Sequence, residues 1–460
     1  MKIIDSWVDE NYNSTNKLYE FENRLKFLHV IKDGIKDFNI QVVIKAGSSF
    51  EDSLKVPRGT AHFLEHMFLK PNKVFKDLKA MDDFTNGSST KAIVFCNAKT
   101  SMKFINFFTY GHENGALRMV EYLKYILDYP FERFQEFIEN ERGIIKSELK
   151  RGYIKEEKDS SLAYQKYVYS KTHPEFVGNV IGNEKSLDQI TVKHLIKYCK
   201  KLFTSENTIL TVQSSSELSN EILSEIKEIS KLFKKANNSN SKISTKEISK
   251  DFEYKHFKDD QQRDTFVSFS YHYPIQTEQH SIPEVNSWLI RNLLAYKGFD
   301  HLRNDLGYIY NMDTFKSSSL WSIYNEGFKF SFEKKNFINL FNEYLELIIK
   351  IVPDFIKSSD GKNWLESQLS KYIFTRTVNF DDDKNEEIAM FILVQRFYKD
   401  DMPNAKNYIK TITQEMFLKI YYESILFSKP KVWFVSPFED EEVYDLFKST
   451  KLFEFLEALK

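Results

Sequence analysis

The stretch "ITVKHLIKYCKKLFTSENTILTVQ", residues 190–213, is repeated in outline by "ITQEMFLKIYYESILFSKPKVWFV", residues 412–435. Both segments begin with Ile-Thr and continue with an amphipathic helical pattern, a short polar turn and a β-rich end. The second segment begins 222 positions after the first. A period of this length indicates a duplicated domain, because the repeating units of a solenoid are far shorter. Chance similarity between two helix-turn-strand segments is the alternative interpretation.

Strand-like and helical segments are mixed in both halves of the chain. The runs "FNIQVVIKAG", "TFVSFSYHY" and "KVWFVS" favour strands, whereas "ERFQEFIENERGIIKSELKRG" and "FINLFNEYLELIIKIVPDFI" favour helices. These patterns predict an α+β fold of two homologous domains, each a mainly antiparallel sheet with helices on one face. The polar stretch "KKANNSNSKISTK", residues 234–246, predicts a linker at residues 231–250 between domains at residues 1–230 and 251–460.

Composition excludes several classes of protein. Lys and Arg (65 residues) nearly balance Asp and Glu (66 residues) in the 460-residue chain, which argues against a nucleic-acid partner. No apolar run is long enough for a membrane-spanning helix, and "MKIIDSWVDENYNS" at the start does not resemble a signal peptide. Cys96 and Cys199 are too few for a disulfide framework or a thiolate zinc site. We therefore expect a reducing, cytoplasmic setting.

The segment "AHFLEHMFLK", residues 61–70, carries the chemistry most typical of a metal site. A helix that begins near residue 60, with Thr60 as a plausible cap, would project His62 and His66 from one face and place Glu65 beside them. This H-x-x-E-H order offers two imidazoles to zinc and one carboxylate to take a proton from water. The alternative is a half-buried helix whose histidines make ordinary hydrogen bonds.

A third ligand is expected from "ENERGIIKSELKRG", which begins at residue 139, because catalytic zinc usually has three protein ligands. Glu141 and Glu148 are seven residues apart and therefore share one face of a helix over two turns. Glu136 and Glu139 are competitors that periodicity does not eliminate. For each of the four, a solvated surface acid is the alternative interpretation.

These motifs carry a family resemblance. "RGTAHFLEHMFLK" (residues 58–70) with "ERGIIKSE" (residues 141–148) resembles the pitrilysin and insulinase family of zinc metallopeptidases, in particular its half-size bacterial members related to processing peptidases. The resemblance continues in residues 178–212, which look like the end of the family's first domain, and in "HLRNDLGYIYNM", residues 301–312. It covers most of the chain and is strongest over residues 40–213.

The resemblance implies a role for each residue of the first motifs. His62, His66 and Glu148 would hold Zn²⁺, Glu65 would act as the general base, and Glu141 would support the site from outside the ligand set. The interval between His66 and Glu148 is several residues longer than is usual in the family.

The same resemblance implies how substrate is held. Arg303 and Tyr310 match the pair that approaches the substrate. Asn97 and Ala98, in the "NAKT" of residues 97–100, match the substrate-binding edge strand, which would bind a peptide by adding it to the sheet. The glycine pair that normally precedes this strand is missing, so the zinc ligands are better supported than the strand.

The function implied is that of a zinc-dependent endopeptidase that hydrolyses peptides or unfolded polypeptide segments inside an enclosed chamber. In the family, four homologous domains form this chamber, and two such domains in the present chain imply a second chain. Because the zinc motif and the Arg/Tyr segment occur together, a homodimer is favoured, and a heterodimer with a related subunit remains open. The alternative is a noncatalytic or partner-dependent subunit, but such subunits generally lose zinc ligands.

Overall fold

The fold is seen in a computed structural model that describes residues 1–9, 13–128, 131–151, 160–169, 178–235, 252–274, 281–319, 323–378, 384–393 and 402–459. Residues 236–250 of the predicted linker lie outside this set. The strands are β1 (Lys2–Asp9), β2 (Ser14–Glu20), β3 (Lys26–Lys32), β4 (Asp37–Ile44), β5 (Phe95–Thr100), β6 (Ile105–His112), β7 (Thr208–Ser214), β8 (Glu253–Lys258), β9 (Thr265–Pro274), β10 (Met312–Ser319), β11 (Ile323–Phe332) and β12 (Lys431–Ser436).

The helices account for most of the remaining described residues. They are α1 (Thr60–Phe68), α2 (Leu78–Thr85), α3 (Ala116–Leu127), α4 (Phe134–Arg151), α5 (Ser160–Tyr169), α6 (Glu184–Gln189), α7 (Val192–Leu202), α8 (Asn220–Leu232), α9 (Ser281–Gly298), α10 (Phe337–Glu346), α11 (Val352–Lys357), α12 (Ser359–Val378), α13 (Lys384–Leu393), α14 (Met402–Thr411), α15 (Gln414–Tyr421), α16 (Asp440–Lys448) and α17 (Lys451–Ala458). Among the described residues, no helix is both long enough and apolar enough to cross a membrane.

The chain divides into two compact units, each assembled from three segments. Unit 1 comprises Met1–Ile154, Pro174–Lys242 and Phe380–Lys399. Unit 2 comprises Lys155–His173, Ile243–Asn379 and Asp400–Lys460. The units therefore differ from a simple division into N-terminal and C-terminal halves, because each takes one short segment from the opposite half.

Unit 1 is built on a seven-stranded sheet with the order β1-β2-β3-β7-β4-β6-β5. All neighbouring strands are antiparallel except β3 and β7, which run parallel with Phe27 opposite Leu210. Alternate residues of these strands, including Ile40, Val42 and Phe107, enter one apolar core. The apolar faces of α1, α3, α4, α7 and α8 cover that side of the sheet.

Unit 2 is built on a five-stranded sheet with the order β10-β11-β9-β12-β8. Its order and strand directions match those of β5-β6-β4-β7-β3, because β8 and β12 form a parallel pair and the other neighbours are antiparallel. Tyr254 lies opposite Val432 in the parallel pair. An aromatic core that includes Phe269, Phe341 and Tyr344 fills the space between this sheet and its helices. The mixed α+β architecture with two similar sheets agrees with the fold class predicted from the sequence.

The face of the unit 1 sheet that points away from the core is covered by α13. Asn385 donates a hydrogen bond to Gln213 of β7 at 2.8 Å, and Glu386 accepts one from Asn106 of β6 at 2.9 Å. Lys99 of β5 forms an ion pair with Glu386 at 2.5 Å. A segment near residue 390 therefore completes a sheet whose strands all lie before residue 215.

The corresponding face of the unit 2 sheet is covered by α5. The Tyr164 hydroxyl lies 2.6 Å from the hydroxyl of Ser270 on β9, and the Tyr167 ring stacks on Trp433 of β12 with centroids 5.6 Å apart. The sequence predicted helices on one face only. The structure adds to each sheet one helix on the other face, supplied by the opposite half of the chain.

Candidate metal centre

The helix that carries the two histidines begins at Thr60, as the sequence predicts, but its cap is different. Gly59 is the N-cap, and its φ of +90° is a backbone conformation that favours glycine. The carboxyl group of Glu51 accepts hydrogen bonds from the N–H groups of Gly59 (3.1 Å) and Ala61 (2.8 Å). The Thr60 hydroxyl instead donates to the carbonyl of Pro57 at 2.6 Å, so the expectation that Thr60 caps the helix was wrong.

Two helices bring the predicted metal ligands together. His62 and His66 lie one turn apart on α1, with ring centroids 4.7 Å apart. Glu148 approaches them from α4, with one carboxylate oxygen 3.9 Å from Nε2 of His62 and the other 3.6 Å from Nε2 of His66. The three candidate ligand atoms all lie within 4.8 Å of one another, and no other such group of three is found in the described part of the chain.

The donor set fits a zinc ion in chemistry and in spacing. Two ligands bound at about 2.1 Å in a tetrahedral arrangement are about 3.4 Å apart. This is close to the 3.6 and 3.9 Å that separate the carboxylate oxygens of Glu148 from the two imidazoles. Burial, together with the neighbouring His66, lowers the pKa of His62 to about 4 and keeps its imidazole in the neutral form that binds metals. Nδ1 of His62 is buried and has no hydrogen-bond partner among the described residues.

Glu141 lies behind His66 and orients its ring. Its Oε2 is 3.3 Å from Nδ1 of His66, which leaves Nε2 facing Glu148. Its Oε1 forms an ion pair with Lys70 at 2.7 Å. Burial raises the pKa of Glu141, but the hydrogen bonds and charges of His66 and Lys70 outweigh it, so this pKa lies below its ordinary value. An anionic carboxylate therefore supports the outer nitrogen of one candidate ligand.

The two competing glutamates of α4 are engaged elsewhere. Glu136 pairs with Arg133 at 2.9 Å, and Glu139 pairs with Arg142 at 3.0 Å. Both side chains are exposed, at 53% and 75%. Each acid therefore forms an ion pair with an arginine three residues away, on the solvent-exposed side of the helix. Neither acid belongs to the group that the two histidines form with Glu148.

Glu65, the predicted general base, is held by the edge strand of the unit 1 sheet. It is 7% exposed, and one of its carboxylate oxygens accepts a hydrogen bond from the Thr100 hydroxyl at 2.5 Å. Burial raises the pKa of Glu65, and the hydrogen bond from Thr100 opposes that rise. The carboxylate is therefore fixed in position on the same helix as the two histidines.

Asn97 and Ala98 lie on β5, which is an edge strand of the sheet. Asn97 is exposed, and its side-chain oxygen accepts a hydrogen bond from the N–H of Ala98 at 2.9 Å. Ala98 is 9% exposed and packs into the core. An edge strand has one side open to a further strand, so the position suits the predicted peptide binding, which stays a prediction.

Arg303 and Tyr310 belong to unit 2 and flank a tight turn. Arg303 lies in a π-helical segment, Phe299–Asp305, and its carbonyl accepts the N–H of Gly307, whose φ is +65°. Tyr310 is 46% exposed, and its hydroxyl donates to Glu333 at 3.0 Å. Both side chains are available at the surface of their unit, and their role toward a substrate stays a prediction.

Three residues around the candidate centre were not predicted: Glu51, Lys70 and Thr100. Lys70 had a local signal, because it lies one turn beyond His66 on the same face of the helical pattern. Thr100 closes the quoted "NAKT" segment, but its partner is 35 residues away in sequence. Glu51 precedes the helix and follows no periodic pattern. Only Lys70 could therefore have been identified from sequence spacing.

The family comparison covers the region that builds the candidate centre. Residues 30–186 match the family described as Insulinase (Peptidase family M16). This range includes α1 and α4, and with them His62, His66 and Glu148. Among curated proteins, none matches the chain by sequence.

The fold is shared with several solved structures at low sequence identity. The periplasmic protease PqqL from Escherichia coli aligns with 99% of this chain at a TM-score of 0.73 and 13% identity, and the chain spans 50% of that protein's length. A peptidase M16 inactive domain from Pseudomonas fluorescens aligns with 92% of this chain over 98% of its own length, at a TM-score of 0.68 and 14% identity. A protease from Helicobacter pylori aligns with 92% of this chain over 100% of its own length, at a TM-score of 0.67 and 15% identity.

Proposed function

Through residues 30–186 the chain belongs to the insulinase family of peptidases, family M16, and from this premise we propose that it is a zinc-dependent endopeptidase. The family match supports a peptidase-like function. The observation that carries the finer proposal is the convergence of His62, His66 and Glu148 within 4.8 Å, with the carboxylate of Glu65 on the same helix.

A zinc ion held by these three residues would supply Lewis-acid chemistry toward a water molecule and a peptide carbonyl. Glu65 accepts the proton that the attacking water loses and delivers it to the departing amine. The Thr100 hydroxyl holds one oxygen of Glu65, and the other oxygen takes the proton. Burial, which raises the pKa of this carboxyl, makes it a stronger base than a solvent-exposed glutamate.

The substrate we propose is an extended polypeptide segment. A peptide that pairs with β5 would place its backbone beside Thr100, and hence beside Glu65. Arg303 and Tyr310 help to hold the substrate and to stabilise the developing oxyanion. The chain spans about half the length of PqqL, which supports a second chain completing the chamber, and we propose a homodimer.

The test is zinc content and peptide hydrolysis measured on the same preparations of wild type and three variants. Glu65→Gln should keep its zinc and lose hydrolysis, because an amide does not accept the proton and the residue is not a ligand. Glu148→Gln should lose both, because the carboxylate ligand is gone. Glu139→Gln is the matched control on the same helix and should keep both, since its side chain is exposed and paired with Arg142.

Two outcomes would contradict the proposal. If wild type binds no zinc, the cluster is not a zinc site. If wild type binds zinc at His62, His66 and Glu148 but cleaves no peptide, the alternative is favoured: a noncatalytic or partner-dependent subunit. The measurement of peptide cleavage is needed beside that of zinc because the fold is also similar, at low identity, to an M16 domain described as inactive.

A further inference from the structure

A separate cavity of about 620 Å³ lies in unit 1, where α3, α7 and α8 end. Its apolar wall is formed by Phe68, Phe131, Phe203 and Leu232. A cavity of this size and lining is typical of a pocket for a small organic ligand. It does not include His62, His66 or Glu148, so it is distinct from the candidate metal centre.

Four lysines also line this cavity: Lys200, Lys201, Lys234 and Lys235. All four are exposed, and within the part of the chain that the structure describes none forms an ion pair. Two of them lie in the last turn of α7, where a cation also interacts favourably with the helix dipole. The other two follow the end of α8 and have no such role. The cavity is therefore positively charged beside an apolar wall.

Two further lining residues bear on the charge and the polarity of the cavity. Thr204 is 8% exposed, and its hydroxyl has no hydrogen-bond partner among the described residues. A buried hydroxyl without a partner is costly, and a ligand can supply one. Asp128 also lines the cavity, but its carboxylate is paired with Lys73. The unpaired charges around the cavity are thus the lysines.

We propose that this cavity binds a free fatty acid, with its chain against Phe68, Phe131 and Phe203 and its carboxylate among the lysines. An inorganic polyanion would satisfy the lysines but leave the phenylalanine wall without an apolar partner. A neutral hydrocarbon would pack against the apolar wall but leave the lysines and the Thr204 hydroxyl unpaired. An amphipathic carboxylate satisfies both parts.

The position of the cavity gives such a ligand contact with the helix of the metal centre. Phe68 is the last residue of α1, and its ring packs on Phe203 with centroids 5.4 Å apart and on Phe134 of α4 at 6.2 Å. The proposed binding does not depend on zinc or on peptide hydrolysis. A Glu148→Gln chain should therefore bind the fatty acid as wild type does, which separates this proposal from the proposed function.

The experiment is calorimetric titration of the full chain with dodecanoate below its critical micelle concentration. We expect binding of one dodecanoate per chain, with dodecan-1-ol and acetate each weaker by about tenfold or more, since each lacks one half of the recognition. The double variant Lys200→Gln, Lys234→Gln should bind dodecanoate about tenfold more weakly than wild type, with its affinity for dodecan-1-ol unchanged. Thr204→Val, which keeps nearly the same side-chain shape but lacks the hydroxyl, should also lower the affinity for dodecanoate.

The matched control is Lys193→Gln, an exposed lysine of α7 that does not line the cavity, and it should bind dodecanoate as wild type does. Three results would overturn the proposal: no binding of dodecanoate, equal affinity for dodecanoate and dodecan-1-ol, or equal weakening by the control and the double variant. Binding of an acidic aromatic peptide in place of dodecanoate would equally overturn it.

Discussion

Thr100, the last residue of β5, donates a hydrogen bond from its hydroxyl to Oε2 of Glu65, the glutamate between the two histidines of α1, at 2.5 Å. The bond joins the edge strand of the unit 1 sheet to the helix of the candidate metal centre. Because Glu65 is not a candidate ligand, this contact fixes the orientation of a carboxylate and involves none of the three candidate ligands.

Removing the Thr100 hydroxyl should therefore separate hydrolysis from metal binding. Thr100→Val keeps the shape and β-propensity of the residue but frees the Glu65 carboxylate, so kcat should fall about 10- to 100-fold with zinc content unchanged. Thr100→Ser restores the hydroxyl and should recover most of the activity. Zinc content and kcat are measured on the same samples, and a loss of zinc in Thr100→Val would contradict this role.

Lys70 should govern metal affinity through Glu141. Lys70→Met leaves the Glu141 carboxylate, whose side chain is 1% exposed, without its ion pair, and should weaken zinc binding about 10- to 100-fold. Competition with a chelator of known affinity measures this change. Lys70→Arg should bind zinc more tightly than Lys70→Met does. Lys79→Gln, which breaks only an exposed pair with Asp83, is the control and should bind zinc as wild type does.

A homodimer that shares its sites should be recoverable from two inactive chains. If the zinc helix of one chain works with Tyr310 of the other, a Glu148→Gln chain and a Tyr310→Phe chain together form one intact site in each mixed dimer. Equal mixing under exchange conditions should restore about a quarter of wild-type activity, since half the dimers are mixed and each has one intact site of two.

Tyr310→Phe also removes the hydrogen bond to Glu333, so Glu333→Ala, which removes the acceptor and keeps the tyrosine, is the control for that contact. This variant should lose little activity. Mixing that restores no activity would mean that the two groups act within one chain or that the partner is a different protein.

Glu51 should make stability depend on pH. Burial raises the pKa of Glu51 to about 8 from its ordinary value of 4.5, although the N–H groups of Ala61 and Gly59 oppose the rise. A carboxyl with a raised folded-state pKa contributes stability that is complete below the unfolded value and is lost as pH rises toward the folded value. The free energy of unfolding of wild type, relative to Glu51→Gln, should therefore fall from about pH 5 to about pH 8.

Urea unfolding at several pH values measures this difference for Glu51. Glu22→Gln, a change at an exposed glutamate of the same unit, is the control and should show no comparable trend. A constant difference between wild type and Glu51→Gln across the range would show that Glu51 is ionised throughout.

The duplication is the part of the fold that the sequence predicted best. The 222-residue offset carries β7 onto β12 and α7 onto α15, and even a buried contact is repeated. Nε2 of His29 lies 2.7 Å from the Ser214 hydroxyl, and Nε2 of His256 lies 2.8 Å from the Ser436 hydroxyl. Local pattern was sufficient here because both helix-strand segments bury one apolar face in the same way.

The candidate site was predictable where its residues share a helix and less so where they meet across the fold. The spacing of His62 and His66 placed both on one face of α1, and the spacing of Glu141 and Glu148 did the same on α4. Periodicity did not decide among the four glutamates, because arginine partners, not helical position, separate Glu136 and Glu139 from the site. The sequence also did not predict which sheet α5 and α13 each pack against, because an amphipathic helix pattern does not specify the surface that buries its apolar face.

The placement of α13 on the unit 1 sheet sets the order in which the chain can mature during synthesis. The strands of that sheet all end by residue 214, but Glu386 and Asn385, which pair with Asn106 and Gln213, are synthesised more than 170 residues later. At about 5–20 residues per second this is an interval of roughly ten to thirty seconds. During that time the sheet face that α13 covers in the complete chain is without this helix, so the polar side chains of Asn106 and Gln213 lack their partners until α13 emerges.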